Sequence, residues 1–314
     1  MWDFSLFRAF GLILRTLPFI VVRMLVYFGM AFAYLFFTGI GAGVGYSIGA
    51  FGTDEFRSGA TAIGGLAGFG MTAAVLYLLR EYILYVVKAG HIAVLVQLLD
   101  GKPLPEGKGQ FSYASEIVKA RFTETSVLFL LDQLIRGVIA TITGLVRGIT
   151  SILPIPGLNA LMNFLHAFLK IAAGFIDEVI LAYLIRTHSR NPWESARIAL
   201  VLYGQNYKPM LRNAAFLTIF IYLLSIVIFL LILGPAATLV YTLPGMWSGA
   251  GFVFALIFVW AFKKAVLEPI AIACMMQAYF KTIEGQTPDP EWDARLASIS
   301  KKFQTIKDKA LAAI

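Results

Sequence analysis

Cysteine, histidine and charge are all scarce in this chain, and each shortage closes a class of function. The single cysteine, Cys274, excludes an intramolecular disulfide and any zinc site built from several thiolates. The three histidines, His91, His166 and His188, are too scattered for a local metal motif, and no metal or other cofactor is expected. Only 14% of the 314 residues are charged against 59% hydrophobic, with a mean hydropathy of +0.78. So few charges could not cover so much apolar surface in water. Disorder is excluded as well, because phenylalanine alone supplies 26 residues. The composition is that of an all-α, polytopic integral membrane protein. No nucleophile elbow, Walker sequence or dinucleotide fingerprint occurs, so neither an enzyme nor an ATP-driven pump is expected.

The net charge of +8 comes from 26 basic against 18 acidic residues. In a membrane chain this excess points to topology and to contact with anionic lipid, not to nucleic acid. A crossing needs roughly 20 apolar residues. No charge lies between Arg23 and Asp54, which places a first span within 24–52, and none from Gly59 to Leu79, which gives a second. The uncharged run from Asn213 to Phe262 is too long for one crossing and carries breakers at Gly234–Pro235 and Leu243–Pro244–Gly245. It divides into spans at 213–241 and 246–265. Four transmembrane helices result. The loop between the first two holds one basic residue, Arg57, so the positive-inside rule puts both termini in the cytoplasm, at a plasma or inner membrane. The N-terminal stretch predicts an amphipathic lead-in helix and not a removable signal peptide.

Gly39, Gly41, Gly43, Gly45 and Gly49 stand opposite Gly59, Gly64, Gly65, Gly68 and Gly70 across the first loop. Small residues let helix backbones approach in lipid, and this explains the glycines better than a pore or a phosphate loop does. At an offset of 180, Ile92–Gln97 overlays Ile272–Gln277, the trace of an internal repeat or a chance likeness between apolar helices. The domain reading is therefore a membrane domain over 1–283 and a cytoplasmic amphipathic helix over 284–314. The membrane domain comprises hairpin units at 1–100 and 195–283 and a central amphipathic hairpin at 113–187. Asp289 caps the terminal helix, Pro290 starts it, and Leu296, Ile299, Phe303, Ile306 and Ala310 form its apolar stripe. That stripe suits docking on the chain's own surface, on the membrane, or on a partner that includes a second copy.

The central segment carries the candidate site. Asp132, Arg136, Thr143, Arg147 and Thr150 recur at helical spacing on one arm, and Asn159, Asn163, His166, Lys170 and Asp177 on the other. Narrow polar seams on otherwise apolar helices suit a membrane-embedded hairpin that turns at Pro154 and Pro156. Folded back there, Asp132 comes level with Asp177 and Glu178, and Arg136 reaches Asp177. The seams are either a solute pathway containing Asp132, Asp177 and Glu178, or a set of structural ion pairs, or the mark of a hairpin that lies on the cytoplasmic leaflet. Glu268, beside Pro269, is a further pathway candidate or the mark of an ordinary kink.

Several stretches resemble the C-terminal half of the choline-transporter-like family of solute carriers. They are Lys102-Pro103-Leu104-Pro105, the run from Ser112 to Phe129, Tyr203-Gly204-Gln205-Asn206-Tyr207, and Arg212 to Leu217 leading into a span. The resemblance covers residues 76–283. The chain is about half the family's usual length, lacks its cysteine-bearing external domain, and has Glu124 where the family pattern has glycine. Membership would imply movement of a quaternary ammonium solute such as choline, and it assigns no binding residue here. The expected function is ATP-independent passage of a small cationic solute, with a non-transporting scaffold, assembly or lipid-handling role as the alternative.

Overall fold

The computed structural model describes residues 2–121, 125–150, 174–187, 191–241 and 250–313. Those residues are helical and contain no strand. Helix α1 (Leu6–Arg15) is followed across Thr16 by α2 (Leu17–Gly49) and then α3 (Asp54–Leu99). Next come α4 (Gln110–Arg121), α5 (Thr125–Thr150) and α6 (Ile176–Arg186). The chain continues with α7 (Pro192–Gln205), α8 (Tyr207–Tyr241) and α9 (Ala250–Phe262), which passes through a π turn (Lys263–Leu267) into α10 (Glu268–Thr282). Helices α11 (Pro290–Ile299) and α12 (Lys301–Ala312) end it.

Three helices are long and apolar enough to cross a membrane: Leu17–Gly49, Asp54–Tyr77 and Tyr207–Pro235. They correspond to the first three expected crossings. The fourth, 246–265, is represented among the described residues by α9, whose 13 residues are too few to cross alone. The Pro154–Pro156 turn of the central hairpin lies outside the described residues.

The chain divides into two compact units. One comprises Phe19–Val87 and Ser225–Val266, the other Met1–Pro18, Lys88–Leu224 and Leu267–Ile314. In the unit of 19–87 and 225–266, α2 meets the start of α3 through backbone. A methyl group added at Gly41 would strike the Gly64 carbonyl, one at Gly45 the Ala60 carbonyl, and one at Gly68 the Phe37 carbonyl. Gly39, Gly43, Gly59 and Gly70 have open space instead. The expected ten-glycine interface is thus narrower. A contact row repeats every four residues, so 41, 45 and 49 share it while 39 and 43 point elsewhere. Tyr27, Met30, Leu84, Ala261 and Ala265 form the apolar core of this unit.

The other unit is knit from short helices with good caps. The Ser5 side chain accepts from the Arg8 N–H, Asn191 from Trp193 and Glu194, and Asp289 from Glu291. The terminal segment departs from the single helix expected. Ser300 adopts extended backbone, ends α11 and caps α12 by accepting from the Phe303 N–H. Leu296, Phe303, Ile306 and Ala310 are buried, and α12 packs on α7 and α5. Arg197 joins Glu194 on α7 to Asp293 on α11, and Lys307 on α12 meets Asp293 too. Four of the five residues of the tail's apolar stripe are therefore spent within the chain, and Ile299 stays exposed.

The two overlaid stretches have similar settings. Ile92–Val96 on α3 and Ile272–Met276 on α10 are all buried, and each ends in a glutamine that holds a neighbouring segment. Gln97 donates to the Pro103 carbonyl and accepts from the Tyr113 hydroxyl, and Gln277 accepts from the Ser5 N–H. A short helix leads into a span across one residue at Thr16, and again at Asn206.

Candidate functional site

Three helices of the unit containing 88–224 bring charge together. Asp132 and Arg136 sit one turn apart on α5, Asp177 and Glu178 open α6, and Lys88 belongs to the C-terminal half of α3. Arg136 Nε lies 2.9 Å from Asp132 Oδ2 and 3.1 Å from Asp177 Oδ2. Lys88 Nζ lies 2.6 Å from Glu178 Oε1. Asp132 and Asp177 are each 7% exposed and Glu178 6%. The expected approach of Arg136 to Asp177 is present in the structure.

One guanidinium N–H cannot donate well to two carboxylates at once. Asp177 Oδ1 is also buried without a hydrogen-bond partner among the described residues. Burial and the neighbouring Asp177 charge push the Asp132 carboxyl up to about 7, against the pull of Arg136 and Lys88. Asp177 is raised as well, by burial first and then by Glu178. Neither residue belongs to the three membrane-spanning helices. Burial and mutual repulsion thus both act against ionising Asp132 and Asp177 together.

The polar seam of α5 runs along the edge of that helix's buried face. Leu131, Ile135, Val138, Ile139 and Ile142 are buried, Asp132 and Thr143 join them at the margin, and Ala140 is exposed. Thr143 is satisfied by its own helix, donating to the Ile139 carbonyl. Arg147 falls on α5, with its side chain outside the described residues. His166 and Lys170 lie outside the described residues altogether. Glu268 is half-buried on the first turn of α10, immediately after the π turn. Pro269 has no N–H to close a regular turn, which accounts for a π turn at that place.

Lys88 is the cluster residue that the sequence reading passed over. Its signal was present: a single charge between Glu81 and Asp100 in an apolar run. A second residue of this kind is His91, fully buried, whose Nε2 lies 2.9 Å from the Thr16 hydroxyl. That hydroxyl already donates to the Leu12 carbonyl, so the imidazole is the donor and ties α3 to the α1–α2 joint.

In the same unit a cleft of about 1050 Å³ is lined by Asp3, Arg8, Lys102, Arg186, Lys281 and Glu284 among others. It includes none of the cluster residues. Its charges are of both signs and partly paired, Arg186 with Asp100 and Asp3 with Arg212. No group of three or more metal-ligating side chains occurs among the described residues. Comparison with known proteins gives no match, whether to a protein family, a curated protein or a solved structure.

Proposed function

We propose that this chain is an ATP-independent membrane carrier or channel-like protein for a small cationic solute, and that the Asp132–Asp177 pair exchanges a proton for the charge of that solute. The observation that carries the reading is the sharing of Arg136 by two nearly buried carboxylates. Three nearly buried carboxylates against two cations, Arg136 and Lys88, leave an excess of negative charge that burial disfavours, so the site takes up a proton or another cation.

The chain crosses the bilayer four times on this reading, with 246–265 as the fourth crossing and both termini cytoplasmic in a plasma or inner membrane. The cluster stands at the cytoplasmic face and not in the bilayer core. Its helix α5 packs against α12, which also carries Lys301, Lys302, Lys307 and Lys309. The choline-transporter-like resemblance supplies the probe: a quaternary ammonium ion. The scaffold alternative is weaker, because all but Ile299 of the tail stripe that would receive a partner is buried within the chain.

The test is uptake of labelled choline and of tetramethylammonium into proteoliposomes, with the interior and exterior pH set independently. The expected result is uptake that follows the proton gradient and is lost in Asp132→Asn while the variant inserts normally. Equal uptake by Asp132→Asn would remove the cluster from the mechanism. Uptake of neither cation, by folded wild-type protein, would remove the carrier reading for quaternary ammonium solutes.

A further inference from the structure

Helix α1 has three sides, and only two of them have an evident use. Ala9, Leu12 and Ile13 are buried, and α1 packs along α10 with the Ser5–Gln277 hydrogen bond at its start. At about 100° per residue, Phe7, Phe10 and Leu14 cluster roughly 140° round the helix from that face. All three are exposed, Phe7 to 91%. Arg8 and Arg15 occupy the remaining side.

An exposed apolar side on a short helix needs an occupant, and the chain itself indicates which. One residue beyond Arg15 the chain enters Leu17–Gly49, a helix long and apolar enough to cross a membrane, so α1 is tethered where that helix meets the bilayer surface. That helix, with 33 residues, is about 50 Å long, more than the roughly 30 Å of hydrocarbon it has to cross. No further hydrocarbon depth remains for α1. The layer still available to it is the interface, where an apolar stripe flanked by arginines is the usual pattern.

We propose that α1 is an interfacial helix, with Phe7, Phe10 and Leu14 in the acyl boundary of the cytoplasmic leaflet and Arg15 among anionic headgroups, while Arg8 on the same side donates to the Leu99 carbonyl. The lipid surface is thus a binding partner of the N-terminal segment as well as of the spans. The proposal is independent of the carrier reading, since it uses none of the cluster residues.

The test places a spin label at one position at a time by Phe7→Cys, Phe10→Cys, Leu14→Cys, Arg8→Cys and Arg15→Cys. The background is Cys274→Ala, which removes the single native thiol, itself buried. Each labelled protein is checked for an unchanged elution profile in detergent and then placed in vesicles of phosphatidylcholine and phosphatidylglycerol. Collision with oxygen, which concentrates in lipid, is compared with collision with a water-soluble nickel chelate. Positions 7, 10 and 14 should favour oxygen several-fold, and positions 8 and 15 should favour the chelate. Labels at 7, 10 and 14 shielded from both reagents would mean that protein covers the stripe and would overturn the proposal. Access of the chelate to all five positions would overturn it too, by leaving the helix in water.

Discussion

The two compact units of this chain hold their helices together by different physics. In the unit of 19–87 and 225–266, the closest helix contact is backbone on backbone. Gly41, Gly45 and Gly68 lie against carbonyls of the facing helix, and aromatic edges such as Tyr27 on Trp260 and Phe28 on Phe258 fill the rest. Phe32, Ile63 and Leu66 on its helices are exposed, as lipid-facing residues should be. In the unit that contains 88–224, Leu296 and Phe303 are withdrawn from the surface and ion pairs bind helices to one another. Lipid and water ask for these two kinds of packing. Lipid gives apolar side chains no reason to associate, so close approach must come from small residues. Against water, burial of apolar area drives packing, and charges can be matched at its margin.

The largest effect should come from closing the glycine contact. Gly41→Leu would drive a side chain into the Gly64 carbonyl, an obstacle that cannot swing aside. Overpacking costs about 1–3 kcal/mol where side chains can shift, and backbone on both sides puts this case at or above the top of that range. The expected outcome is loss of folded, membrane-inserted protein on detergent gel filtration. Gly39→Leu, two residues away and facing open space, should behave as wild type. Similar damage from both would show that the row of 41, 45 and 49 is not the contact that matters.

A smaller effect is expected from unpairing charge in the other unit. Lys88→Met keeps the length of the side chain and leaves Glu178 without its Lys88 partner while it remains buried. An unsatisfied buried group costs about 1–3 kcal/mol, and more when charged. Thermal unfolding in detergent should shift down by several degrees, and Lys88→Met with Glu178→Gln should recover most of the loss. If the double variant is as unstable as the single one, Lys88 acts through packing and not through its charge.

The sequence was legible where a periodicity or a breaker had one physical meaning. Uncharged runs between Arg23 and Asp54 and after Arg212 foretold helices that could span, and Asp289–Pro290 foretold a helix start. Arg136 does meet Asp177, as matching the two arms foretold, while the turn that would join those arms lies outside the described residues. Ser300 was less legible, because one serine inside an apolar three–four spacing looks like a tolerated helix residue. Its role as a cap depends on the turn that seats α12 on α5 and α7. Lys88 was hidden for a related reason. Its partner lies about ninety positions away, and no local spacing can reveal a pairing made by the fold.

The subtlest consequence of the comparison is a dependence of stability on pH that only the ion-paired unit should show. The Asp132 carboxyl titrates near 7 in the folded protein and near its ordinary 3.8 in the unfolded chain. Between those values the folded state holds a proton that the unfolded state has released, so stability falls as pH rises through that window. Acids held below their ordinary range, such as Asp3 beside Asn213 and Arg212, act in the opposite sense but only at lower pH. From pH 5 to 7.5 the melting temperature of the wild type should therefore decline by a few degrees, with about 2–4 °C per kcal/mol expected for a chain of this class. Asp132→Asn removes the titrating group, leaves Arg136 to Asp177 alone, and should flatten that slope by half or more. Gly39→Leu, in the glycine-packed unit, should leave the slope unchanged. A slope that survives Asp132→Asn would assign the titration to other groups, and Asp132 would then be a carboxylate that stays ionised beside Arg136.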